Sequence, residues 1–184
     1  MAKKRPKFNM EMETRGANRR LFARSQLVFD KLNESRQEFP RYKKDGSRAK
    51  KNWVKRECEV CHSWVPSSQI AIDHIDPVVP PEGFPTHLDM WERIIIFLKR
   101  LWCPFSNLQR ICDTCHAIKS QSERISRLTL KYTEELDLLE KELEDGTSTF
   151  TSCKKQLAKY ISKKKSIGLV TISERAQKLK DLYK

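Results

Sequence analysis

The chain has 184 residues, with 37 Lys and Arg against 24 Asp and Glu, for a net charge of +13 and a pI near 9.6. That length suits one domain with appended elements, or two small ones. No stretch approaches the roughly 18 apolar residues of a membrane span, and the basic N-terminus MAKKRPKFNMEMETRG has no apolar signal core. The expected location is cytoplasmic, where thiols are reduced and clustered cysteines point to metal rather than to disulfides.

The charge is segregated. Residues 1–56 hold 18 basic and 6 acidic residues, net +12; residues 57–116 hold 4 and 8, net −4; residues 117–184 hold 15 and 10, net +5. Basic flanks concentrate polyanions, and phosphate contacts supply most non-specific nucleic-acid affinity. Nucleic acid is therefore the expected partner, with mere solubility as the competing role of the charge.

Along the chain, residues 1–14 read as a loose charged arm. Residues 18–38 read as one helix that places Leu21, Phe22, Ser25, Val28, Phe29 and Leu32 on one face and ends at Pro40. Its Arg19, Arg20 and Arg24 suit either solvent or phosphate. RYKKDGSRAKKN, residues 41–52, is a basic loop turning at Asp45-Gly46. Two short strands then flank Cys58-x-x-Cys61, and a third run, Gln69–Ile72, leads into Asp73-His74. Turn-rich PPEGFPT precedes a helix over 87–102 with Leu88, Trp91, Ile94, Ile95, Leu98 and Leu101 inward. Asn107–Arg110 is a short strand or turn, and a helix starts near Cys112. Ile125, Leu128, Tyr132, Leu136, Leu139 and Leu143 continue it as a heptad-like seam, for packing on the N-terminal helix or for a dimeric coiled coil. Asp145-Gly146 ends it. Thr171-x-x-Glu174 matches a capping box opening a last helix. Lys163-Lys164-Lys165 suits either backbone contact or solvent.

Cys58-x-x-Cys61 and Cys112-x-x-Cys115 form a matched pair of knuckles. Four thiolates close a tetrahedral zinc site and leave no position open for chemistry, so this zinc would be structural. Cys112-x-x-Cys115-His116 also matches a c-type haem attachment signature, although that cofactor requires export. The separation between the knuckles means that zinc would clip a hairpin to a distant helix start. His62, next to Cys61, is an alternative ligand or a surface residue. Cys103 and Cys153 read as packing residues, and His87 as structural.

A second set comprises Asp73-His74, Asn107 and His116. Successive strand residues face opposite ways, and successive helix residues lie about 100° apart. Cys115 can thus turn to zinc while His116 turns elsewhere. Asp73 and His116 would suit a divalent cation completed by water, with His74 as the base that activates water.

Together, Cys58-x-x-Cys61, Asp73-His74-Ile75-Asp76-Pro77, Asn107-Leu108-Gln109 and Cys112-x-x-Cys115-His116-x-x-Lys119 resemble the HNH endonucleases, and most closely the small free-standing enzymes of tailed phages. The resemblance covers about residues 53–124. It implies an α+β fold: a ββα-metal (HNH) core stapled by a four-cysteine zinc site, with added helices at both ends. The expected domains are a basic N-terminal arm and helix over 1–52, a nuclease core over 53–124 with a helical insertion about 80–105, and a helical basic extension over 125–184. The 33 residues from His74 to Asn107 require that insertion to be a compact excursion.

The resemblance implies a metal-dependent DNA endonuclease that leaves 5′-phosphate and 3′-hydroxyl ends. His74 would be the general base, through Nδ1 or Nε2. Asp73 and His116 would hold Mg²⁺ or Mn²⁺, with Ni²⁺ or Zn²⁺ able to replace it in vitro, and Asn107 would brace the loop that aims His74. Arg110 and Lys119 are candidate phosphate contacts or surface charges. If the chain is phage-encoded, the host cytoplasm is its location and the packaging machinery a candidate partner. The alternative function is a non-catalytic, zinc-stabilised DNA-binding or packaging accessory protein. Nicking versus double-strand cleavage and oligomeric state stay open.

Overall fold

The structure, a computed structural model, describes residues 8–147, 150–162 and 169–182. The expectations for residues 1–7 and for Lys163-Lys164-Lys165 lie outside the described residues. By its contacts the chain divides into two compact units. One runs to Pro80 and from Phe84 to Ile118; the other holds Pro81–Gly83 and the chain from Lys119 onward.

The first unit is mixed helix and sheet. Helix α1 is Met10–Phe22, capped by the Asn9 side chain, which accepts from Met12 N at 3.0 Å. Glu11 and Glu13 lie in its first turn and Arg19 and Arg20 in its last, the arrangement a helix dipole favours. The chain is therefore helical from Met10, where a loose arm was expected to Thr14. Nor is 18–38 one helix. Ser25 adopts an extended backbone, and its hydroxyl accepts from Val28 N, so it caps a second helix, α2, Gln26–Asn33. A serine offered at a helix start gains more as a cap than as an interior residue. Of the expected apolar face, Phe22 is buried, but Leu21 and Phe29 are exposed.

Strands β1 (Gln37–Phe39), β2 (Trp53–Glu57) and β3 (Trp64–Pro66) form an antiparallel sheet in chain order. Residues read as the helix's end thus become an edge strand, with Gln37 opposite Lys55 and Phe39 opposite Trp53. The turn between β2 and β3 carries Cys58 and Cys61. Strands β4 (Ile70–His74) and β5 (Leu108–Cys112) make a separate antiparallel pair, in register from Ile70 opposite Cys112 to His74 opposite Leu108.

The excursion between β4 and β5 holds helix α3, Met90–Leu101. Its start is a reciprocal capping box: Glu92 N donates to Asp89 Oδ1, and Asp89 N donates to Glu92 Oε2, each at 2.8 Å. Phe97, Ile94 and Leu101 are its buried residues. Trp91 and Ile95, expected inward, are 56% and 51% exposed. The 3- and 4-residue spacing through Ile94, Phe97 and Leu101 selects a narrower stripe, centred on Phe97. Phe97 and Leu101 of that stripe join Phe22, Val78, Cys103 and Leu108 in the core.

Helix α4, Asp113–Glu144, follows β5 directly, and the boundary between the units falls within it. In the second unit, Tyr132, Leu136, Leu139 and Leu143 of α4 are buried with residues of α5 (Phe150–Ser162) and α6 (Val170–Leu182), among them Leu157, Tyr160, Ile172 and Leu179. Tyr132, Leu136, Leu139 and Leu143 of the α4 seam are thus covered by the chain's own C-terminal helices. Tyr160 donates to Glu135 Oε2 at 2.6 Å, and Arg175 pairs with Asp137 and Glu140. Helix α6 begins at Val170, so Thr171 lies within it and is not its cap. No described helix is long and apolar enough to cross a membrane.

Candidate metal centre and the loop after β4

The β2–β3 turn supplies Cys58 and Cys61; Cys112 ends β5 and Cys115 lies in the first turn of α4. Their four Sγ atoms all lie within 4.8 Å of one another. Among the described residues this is the only group of three or more His, Cys, Asp or Glu placed to hold a metal. Cys61 Sγ and Cys112 Sγ are 3.8 Å apart. A tetrahedron with Zn–S near 2.3 Å has edges of about 3.8 Å, so the cluster is compatible with a bound zinc.

The backbone shapes this cluster. Cys58 N donates to Ser63 O at 3.0 Å, His62 N donates to Cys58 O at 2.8 Å, and Cys112 N donates to Cys58 Sγ at 3.3 Å. The knuckle requires a left-handed residue after Cys61, and His62 takes it at φ 56°. Its side chain is 76% exposed, with Nδ1 3.3 Å from Glu57, outside the thiol cluster. Hydrogen bonds from Ser63 lower the Cys61 thiol to about 6, while a hydrogen bond with Cys112 and burial push Cys115 up to about 12. One thiol is thus already disposed to ionise, and zinc would displace the protons of the rest. The Cys112-x-x-Cys115 pair belongs to this set of four, and not to an isolated haem motif.

His74, at the end of β4, is 7% exposed. Its Nε2 lies 2.9 Å from the Leu101 carbonyl, and its ring packs on Phe22 with centroids 4.9 Å apart. A carbonyl only accepts, so Nε2 carries the hydrogen and the lone pair of the neutral ring is on Nδ1. The next two residues are tied to Asn107. Ile75 N donates to Asn107 O at 2.8 Å, and Asp76 N donates to Asn107 Oδ1 at 2.9 Å. Asn107 ends a 3₁₀ turn entered through Pro104, so it holds both ends of the excursion together.

Asp73 pairs in register with Gln109 and is half-buried. His116 is exposed near the start of α4. Lys119 lies 3.4 Å from Glu123, one turn along the same helix.

Arg110 differs from expectation. It is 7% exposed, and its guanidinium is bonded to Glu34, to Glu59 and to the Lys31 carbonyl. Lys31, itself buried, binds the same two carboxylates at 3.0 and 3.1 Å. Arg110 is thus part of an ionic tie between α2, the knuckle and β5, and is withdrawn from the phosphate contacts. No local signal announces this tie, because Arg110 and Lys31 are 79 residues apart. The Asp89-x-x-Glu92 capping box, by contrast, was readable by its spacing.

No family model, no curated protein and no solved structure matches the chain.

Proposed function

We propose that the protein is a metal-dependent DNA endonuclease of the HNH type, built on a ββα-metal core. The observation that carries this reading is the fixing of His74: Nε2 is held by the Leu101 carbonyl, and the loop beyond it is held by two hydrogen bonds to Asn107. A base needs one defined tautomer and a fixed aim; the first is set here by a backbone carbonyl, the second by the carbonyl and side-chain oxygens of Asn107. The order β4, β5, α4, with the four-thiol cluster at the β5–α4 junction, supports the same reading.

In this proposal His74 Nδ1 takes a proton from water as the water oxygen bonds to phosphorus. The P–O3′ bond breaks in line, and the leaving oxygen takes a proton from solvent. The products are a 5′-phosphate and a 3′-hydroxyl. One carboxylate and one imidazole, Asp73 and His116, form a donor set suited to Mg²⁺ or Mn²⁺. Asp73 and His116 would hold such an ion, which would supply neutralisation of the charge that develops on phosphate oxygens. Asn107 acts as a positioning residue, and Lys119 is the remaining candidate for a phosphate contact.

The burial of His74 favours one rival, a non-catalytic zinc-stabilised DNA-binding or packaging accessory protein in which the imidazole only pins α3 to β4. Relaxation of supercoiled plasmid with Mg²⁺ or Mn²⁺, against metal-free controls, separates the two. The nuclease reading expects nicked circles from the wild type. It expects a loss of about 10²-fold or more in His74→Ala, with zinc content and DNA binding retained. Undiminished nicking by His74→Ala overturns the base assignment, and absence of nicking by the wild type with either ion favours the accessory role.

A further inference from the structure

The loop between β1 and β2 is not loose. Beyond Phe39 opposite Trp53 the pairing breaks at a bend through Lys50 and Lys51 and resumes two residues out of register: Ala49 N donates to Arg41 O at 2.8 Å, Tyr42 bridges Arg48, and Lys43 N donates to Ser47 O at 2.8 Å. Gly46 turns the tip at φ 81°, with Asp45 Oδ1 accepting from Ser47 N and from its hydroxyl. The result is a two-stranded ribbon projecting from the edge of the sheet.

Its charge is unbalanced. Residues 41–52 contain six basic residues and one acid, and that acid is engaged in the turn. Lys43, Lys44, Arg48, Lys50 and Lys51 are all exposed, and none of them forms an ion pair among the described residues. Some exposed cations elsewhere are paired, as in Arg36 with Glu38 and Arg127 with Glu123, but the hairpin gathers five unpaired ones within nine residues. Like charges held close by a hydrogen-bonded ladder repel one another, a cost that a polyanion would remove. Two aromatics flank them: Tyr42 is 64% and Trp53 42% exposed, and Arg41 stacks on Trp53 at 4.8 Å.

We propose that this hairpin is a DNA-binding wing that lies against duplex DNA and sets the protein's grip on the phosphate backbone. A two-stranded ribbon fits the major groove, which is about 12 Å wide. Strand β2 joins the wing to Cys58 over five residue steps, roughly 17 Å at the usual strand rise. The wing therefore engages phosphates about half a duplex turn from the thiol cluster. The inference rests on the DNA partner proposed above, but not on cleavage.

The test is fluorescence anisotropy with a labelled 30-base-pair duplex, without added divalent cation, over a salt series. It compares wild type with Lys43→Gln, Lys44→Gln, Lys50→Gln and Lys51→Gln combined. Each phosphate contact contributes about 0.9 to the slope of log affinity against log salt. The variant should bind at least about tenfold more weakly, with a slope shallower by roughly 3 to 4. Lysine-to-arginine changes at the same four positions should keep the wild-type slope. An unchanged slope, a wild type that does not bind duplex, or an equal loss of binding to polyglutamate overturns the wing. Plasmid nicking is read separately: a wild type that binds with the expected slope but never nicks keeps the wing and removes the nuclease.

Discussion

His74 and Asn107 show how backbone atoms can place a side chain. His74 is aimed by a carbonyl from the end of α3, and the chain after it is clamped by Asn107. The clamp yields a prediction at the scale of one atom. Asn107→Ala removes the Oδ1 acceptor and leaves Asp76 N to water, a cost of about 0.5–1.5 kcal/mol. If the site cleaves DNA, nicking should fall roughly ten- to hundredfold. Asn107→Asp keeps an acceptor and should retain most activity, with zinc content unchanged in both. Equal losses in the two variants would show that the hydrogen bond is not what matters. Arg110 teaches the opposite lesson, because its charge serves two carboxylates inside the unit and none is left for a substrate.

Among the elements, α3 joins local and tertiary terms most plainly. Its capping box fixes the start by two reciprocal bonds, and Phe97 buries its centre. Asp89→Ala removes the side-chain acceptor and should destabilise the first unit by about 1 kcal/mol in denaturant titration. Zinc content, and cleavage if the proposed activity holds, should not change, since Asp89 touches neither His74 nor the thiols. A much larger loss would mean that the cap also organises the excursion between Ile75 and Asn107. Helix α4 shows a different balance. Its seam is long enough for a coiled coil, but α5 and α6 supply Leu157, Tyr160, Ile172 and Leu179 to cover it. The intramolecular partner prevails because it is present at high effective concentration.

For the whole molecule, the four-thiol cluster ties the β2–β3 turn to the β5–α4 junction, apart from the larger core around Phe97. Around it the buried core is small: Cys58, Ile111 and Cys112, with Val65 and Ile70 packed against them. Structural zinc in small sites contributes about 10–16 kcal/mol, more than such a core supplies. The expectation is one zinc per chain, whose removal by a strong chelator unfolds the first unit. All four tryptophans, Trp53, Trp64, Trp91 and Trp102, lie in that unit. Chelation should shift their emission to the red while much of the far-ultraviolet helical signal of the second unit persists, because that unit has its own core. Complete and simultaneous loss of both signals would show that the units do not fold separately.

The sequence by itself determined the four cysteines as one set, the strands around Cys58 and Cys61, the run into His74, and the apolar seam of α4. Each follows from short-range regularity: ligand spacing, strand alternation or helical period. It also supplied Asn107 as a candidate, through resemblance and not through geometry. Only the tertiary structure decided that Ser25 caps a second helix, that Phe97 and not Trp91 faces the core, and that α5 and α6 cover α4. It alone paired Arg110 with Lys31 and its two carboxylates across more than seventy residues, and put the lone pair of His74 on Nδ1. Those outcomes depend on which distant groups are packed together when water is excluded, and neither periodicity nor spacing records them.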